Sequence, residues 1–175
     1  DAAGGAATRG ALDTGGSEPV VAGWLPDSRG LLGCGLARDC RRAEVVAADP
    51  KTGHTRSLVS ESGDTFVRIH HDIYFGAKLS LWLTPDGSGI IWRSSRSGWE
   101  HLYLYDLEGN LVHQLTEGDF PVDQVSAVLD GYVYFTAHHD QARPYDLHLC
   151  RVPLGGGQVE RLAAANGSNA GTRSP

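Results

Sequence analysis

Residues 84–118 read TPDGSGIIWRSSRSGWEHLYLYDLEGNLVHQLTEG, and this stretch decides the fold. Together with the three residues Leu81, Trp82 and Leu83 before Thr84, it divides into four short apolar segments parted by turn signals. Residues 81–83 run into Pro85-Asp86-Gly87. Residues 90–92 run into the Ser/Arg/Gly cluster at 94–98, residues 102–105 into Glu108-Gly109, and residues 111–115 end at Gly118. Leu102 and Leu104 alternate with Tyr103 and Tyr105, and Leu111, His113 and Leu115 are expected to share one face. A period of two bounded by Gly, Pro and Asp predicts half-buried antiparallel strands, here a four-stranded meander.

The unit recurs. The turn aspartates Asp27, Asp86 and Asp130 each precede a short apolar segment, and Leu58, Leu115 and Leu162 each follow a glycine turn. From turn to leucine the spacings are 31, 29 and 32 residues. From leucine to the next turn they are 28 and then 15, so 13 residues are inserted between the first and second units. Four strands in forty-odd residues is the pattern of a β-propeller blade. A β-sandwich has no reason to repeat its turns in phase. The expected fold is therefore all-β, with about three four-stranded antiparallel blades. Propellers close with about four to eight blades, so three are expected to form an arc of a larger ring. The absence of methionine is read in the same way.

Working outward, residues 1–19 are a Gly/Ala/Thr-rich linker or the remnant of a preceding blade. Residues 20–60 form a blade with strands expected at 20–24, 31–36, 43–48 and 55–59. Residues 61–78 are the inter-blade insertion, 79–118 a blade and 119–163 a blade with strands from 125 to 162. Residues 164–175 are a tail poor in apolar side chains and expected to be disordered.

A formal net charge of −6 argues against a nucleic-acid partner, which needs a basic patch to neutralise phosphates. No apolar run is long enough for a membrane helix. Three cysteines leave at least one unpaired. Cys34 in a strand and Cys40 in the following turn would not face each other across a ladder, and Cys150 reads as a small buried apolar residue. No cofactor is expected.

Several motifs stand in a fixed order: Trp24-Leu25-Pro26-Asp27, the His71-Asp72 insertion, Gly98-Trp99-x-x-Leu102-Tyr103, Gln114-Leu115-Thr116-x-Gly118-Asp119 and Val133-Tyr134-Phe135-Thr136-Ala137. With these the chain resembles the N-terminal propeller of the dipeptidyl peptidase IV family, serine peptidases of the prolyl oligopeptidase group, over roughly residues 20–162. His148-Leu149-Cys150-Arg151-Val152 stands where the family more often shows Tyr in place of Cys150. Residues 31–46 match in pattern only.

The resemblance implies a parent that releases X-Pro or X-Ala dipeptides, with its Ser-Asp-His triad on an α/β-hydrolase domain outside this segment. It also implies peptide substrates and leaves a homodimeric parent as an expectation. No G-x-S-x-G nucleophile elbow occurs here, and neither does the adjacent Glu pair with which the family holds the substrate amine. The segment's expected part is gating and positioning. In the family the insertion lies near the substrate cavity, so His71, Asp72 and Tyr74 are the candidate substrate-binding residues. Tyr74 leads, because a pocket for Pro or small side chains favours an aromatic wall. The plainer reading makes His71-Asp72 a turn and Tyr74-Phe75 inter-blade packing.

Three other features point to different chemistry. His70-His71-Asp72 and His138-His139-Asp140 carry metal-ligating types, but adjacent strand residues point to opposite faces. No metal site is expected. Trp92, Trp99, Tyr103 and Tyr105 could form a binding platform, although at strand spacing such aromatics are usually core. Asn166-Gly167-Ser168 satisfies the glycosylation sequon. The competing class is a non-catalytic propeller that binds a protein or peptide partner.

Overall fold

The computed structural model of the chain describes residues 20–69 and 80–162. It falls into two compact units, residues 1–67 and 68–175. Among the described residues the chain is all-β, with three four-stranded sheets, each in sequential order and antiparallel throughout.

In the first unit β1 (Val20–Trp24), β2 (Leu31–Leu36), β3 (Arg42–Ala48) and β4 (Thr55–Ser62) form one meander. A 3-10 turn at Pro26–Ser28 joins the first two strands. The core is made by Leu25, Leu32, Cys34, Val45, Val46, Leu58 and Val59. Between β3 and β4 the Asp49 carboxylate accepts the backbone N–H groups of Lys51 (2.7 Å) and Thr52 (3.3 Å), a local device that fixes the turn. β4 runs three residues beyond the expected end at Val59. Leu58 is the extra residue of a bulge in β4, and its neighbour Val59 pairs with Val45.

The second unit holds two meanders. The first comprises β5 (Leu81–Leu83), β6 (Gly89–Ser94), β7 (His101–Asp106) and β8 (Leu111–Gln114). The second comprises β9 (Val122–Leu129), β10 (Tyr132–Ala137), β11 (His148–Pro153) and β12 (Glu160–Arg161). One apolar cluster joins them: Ile91, Leu102 and Leu115 from the first pack with Phe120, Val122, Val125, Val133, Phe135, Cys150 and Val152. That is how a blade hides a face it cannot bury alone.

The turns explain the repeat. Asp86 accepts the Thr84 hydroxyl (2.6 Å), the Ser88 N–H (3.1 Å) and the Ser88 hydroxyl (2.9 Å), and these bonds, the Thr84 hydroxyl first, hold its carboxyl at about 2. Asp130 (φ 51°) and Gly131 (φ 78°) are the two residues between β9 and β10. Positive φ at both central positions is what a tight hairpin matched to strand twist demands, and Asp-Gly supplies it. Gly89 meets a different demand. A Cβ there would lie 2.8 Å from the Tyr105 carbonyl oxygen, so β6 and β7 could not keep their spacing with any side chain at this position.

Two expectations are corrected. Leu111, His113 and Leu115 do not share a face. The ladder shifts between Leu104↔His113 and Tyr105↔Leu111, which leaves Val112 as an extra residue and breaks the period of two. Leu111 is exposed while Leu115, just past the strand end, is buried. Leu162 follows β12 in the same way, with its N–H donated to the Leu149 carbonyl as that of Leu115 is to Leu102, yet its side chain is 41% exposed. Finally, Trp99 is not in a strand. Trp92, Tyr103 and Tyr105 are buried as expected of core aromatics, whereas Trp99 lies in the β6–β7 connection.

Cys34, Cys40 and Cys150 are all free thiols. Burial pushes Cys34 up to about 12 and Cys150 to about 11, so neither offers a thiolate near neutral pH.

His101 shows why the segment after β8 is fixed. The Gly118 carbonyl can only accept, so the ring's Nε2–H donates to it (3.0 Å), and Nδ1 is left to accept the Thr116 hydroxyl (3.1 Å). Thr116 Oγ1 in turn accepts the Leu102 N–H (3.0 Å). The buried ring is held neutral, and desolvation lowers its value from 6.5. The unfolded chain therefore takes up this proton before the folded chain does. Stability is complete above about pH 6.5 and falls as pH drops through the depressed folded value. Thermal melts from pH 8 to pH 5 should show the midpoint falling below about 6.5, with a flatter profile for His101→Gln. Identical profiles for the two proteins would remove His101 as the cause.

Candidate functional site

His71, Asp72 and Tyr74 lie outside the described residues, as do His70 and the sequon at Asn166. The structure does define the neck from which their segment leaves the second unit. The Ser80 N–H donates to the Ile69 carbonyl (3.0 Å), so the two ends of the segment are bonded to each other. The Arg93 N–H then donates to the Ser80 carbonyl (2.9 Å), which joins the neck to β6. Ile69 is buried and anchors the near side.

Beneath the neck is a buried ionic network. Arg93, 3% exposed, reaches Glu100 through Nε (3.3 Å) and the Ser80 hydroxyl through Nη2 (3.2 Å), and its Nη1 donates to the Asp123 carbonyl. Glu100 also pairs with Arg68 on the neck at 3.7 Å, and its carbonyl accepts the Val122 N–H at 2.8 Å. The Asp123 carboxylate accepts the Thr136 hydroxyl at 3.0 Å. Burial draws the Arg93 guanidinium below its ordinary value, and the charges of Glu100 and Asp123 oppose that shift. One guanidinium thus ties the neck to β6, to the β6–β7 connection and to β9. Sequence reading missed this residue. Its signal was a charge closing the otherwise apolar run Ile90-Ile91-Trp92-Arg93, on the face that period two assigns to Ile91.

His138, His139 and Asp140 go separate ways. His139 stacks edge-on against Phe120 at 4.6 Å, and its value is lowered, chiefly by desolvation. Asp140 faces Arg161 at 3.7 Å and caps its own turn through the Ala142 N–H at 3.0 Å. Among the described residues, no group of three His, Cys, Asp or Glu side chains could hold a metal ion. No helix among them is long and apolar enough to cross a membrane.

The pattern of meanders has relatives. A family model described as the dipeptidyl peptidase IV (DPP IV) N-terminal region matches residues 20–175. Among solved structures, the dipeptidyl peptidase 4 of Porphyromonas gingivalis is similar at 20% identity and a TM-score of 0.67 over 81% of this chain and 19% of that one. A Bacteroides ovatus protein provisionally described as a dipeptidyl aminopeptidase IV is similar at 20% identity and a TM-score of 0.65, over 81% of this chain and 22% of its own. An Agrobacterium tumefaciens protein provisionally described as TolB is similar at 20% identity and a TM-score of 0.59, over 86% and 50%. This chain spans about a fifth of the length of the first two and half of the third. At such identities the likeness carries the fold.

Proposed function

The chain belongs to the family of dipeptidyl peptidase IV N-terminal regions, and from that premise we propose that it gates and positions peptide substrates within the propeller of a serine-type dipeptidyl peptidase. The observation that supports this most is the family match, which runs through both meanders of the second unit and through the meander of the first from residue 20 onward. In this reading the triad sits on an α/β-hydrolase domain of the parent, the parent releases X-Pro or X-Ala dipeptides, and a homodimeric assembly belongs to the same picture. The segment between Ile69 and Ser80 supplies part of the substrate wall, with Tyr74 as its apolar surface and His71 and Asp72 beside it.

The experiment is kinetic and uses the full parent. Tyr74→Ala should raise KM for X-Pro substrates about tenfold and leave kcat nearly unchanged, since the contact is made in the ground state and the transition state alike. An unchanged KM would take Tyr74 out of the substrate wall. A parent that releases no dipeptide from any X-Pro or X-Ala substrate would favour the second reading, a propeller that binds a protein or peptide partner without cutting it. The likeness to the protein described as TolB, a name that carries no peptidase, is what keeps that reading in view.

A further inference from the structure

A cavity of about 500 Å³ opens at the end of the second unit, lined by Trp99, Asp119, Pro121, His138, Gln141 and Pro144. Three connections build it: β6–β7 gives Trp99, β8–β9 gives Asp119 and Pro121, and β10–β11 gives the rest. Its walls are fixed before any ligand arrives. Phe120, between Asp119 and Pro121, is buried and gripped edge-on by His101 at 5.4 Å and His139 at 4.6 Å. The His138 N–H donates to the Pro121 carbonyl at 3.2 Å, which binds the second wall to the third. Glu100, next to Trp99, is held by Arg93 and by the Val122 N–H.

The chemistry of the lining is selective. Asp119 carries its only carboxylate, no lysine or arginine is present, and Asp119 forms no ion pair among the described residues. Trp99 is 43% exposed, an unusual state for an indole, and its ring face attracts cations. The two proline rings offer apolar walls without donors. Gln141 adds an amide, and His138 Nδ1 is buried with no hydrogen-bond partner among the described residues. The volume is in the range of a small-ligand pocket.

We propose that this cavity binds the lysine or arginine side chain of a peptide. Asp119 and the Trp99 face take the cationic head, and Pro121 and Pro144 flank the aliphatic stem. An anion finds no positive partner in the lining, and a purely apolar side chain would leave the Asp119 carboxylate without a counter-charge. The site makes no use of the triad or of Tyr74, so it stands or falls separately from the peptidase reading.

Photolabelling of the full protein tests it, with Nα-acyl-lysine methylamide bearing a diazirine in the acyl group as the probe. Label should be recovered on residues 95–100, 119–121 and 138–144, and excess Nα-acetyl-lysine methylamide should displace it. Asp119→Asn should reduce recovery at least fivefold and Trp99→Ala about tenfold. Both side chains are on the surface, so melting temperatures should stay unchanged, and Asp119→Asn removes charge without altering shape. Equal labelling by the norleucine analogue, label confined to other segments, or undiminished label in Asp119→Asn would each overturn the proposal. Displacement by glycine amide as effective as by the lysine compound would overturn the side-chain assignment, because a bare amine has no stem to lay along the prolines.

Discussion

Phe135→Ala should lower the unfolding free energy of the second unit by about 3–5 kcal/mol, the range for deleting a buried aromatic side chain. Phe135 is fully buried in the middle of β10, paired with Val125 on β9 and Cys150 on β11. Its ring belongs to the cluster shared with Ile91, Leu102 and Leu115 of the preceding meander. The loss therefore has two parts, the apolar surface returned to water and the cavity left between two sheets. Each sheet is held by its own ladder and cannot easily collapse inward. Phe135→Leu keeps most of the volume and should cost less than half as much. Urea titration followed by tryptophan fluorescence separates the two variants, since Trp92 is buried in β6. Equal midpoints for the alanine variant and the parent would show that the two meanders do not depend on this shared core.

The sequence carried the strand positions well, for a physical reason. Turn residues with special backbone needs, such as Asp130-Gly131, are local signals, and the apolar runs between them are short enough to admit only strands. It carried facing less well. Alternation predicts a face only while the ladder is regular, and the bulges at Leu58 and Val112 each add one residue that no local pattern marks. Leu58 and Leu115 look equivalent in the chain, yet Leu58 is a bulge residue and Leu115 follows a strand end.

Beyond the charge at the end of the apolar run 90–93, the ionic network was not legible in the sequence. Arg93 meets Asp123 thirty positions on and Ser80 thirteen back, contacts that depend on how two meanders pack. The cavity has the same origin. Nothing local in the sequence brings Trp99, Asp119 and His138 together; three separate connections do. The residues expected to touch substrate, His71, Asp72 and Tyr74, rest on the family resemblance, and they lie outside the described residues.

Arg93→Ala is the polar counterpart of the Phe135 experiment, and it should cost about 3 kcal/mol or more. The favourable charge–charge energy is not the main reason. Burial already weakens the charged form of Arg93, and a buried pair often stabilises little over an apolar replacement. The cost comes from what is left behind. The Asp123 carbonyl and the Ser80 hydroxyl each lose a donor, and Glu100, only 16% exposed, keeps just the longer contact to Arg68. Arg68 is 70% exposed, so Arg68→Ala should change stability by less than about 1 kcal/mol. Arg93→Met combined with Glu100→Gln should be less destabilising than the sum of the two single changes, because the second removes the charge that the first strands. Denaturant unfolding of the four proteins gives that coupling directly. A strictly additive double variant would mean that Arg93 and Glu100 act independently, and the bonds of Ser80 to Ile69 and Arg93 would then hold the neck without help from that ion pair.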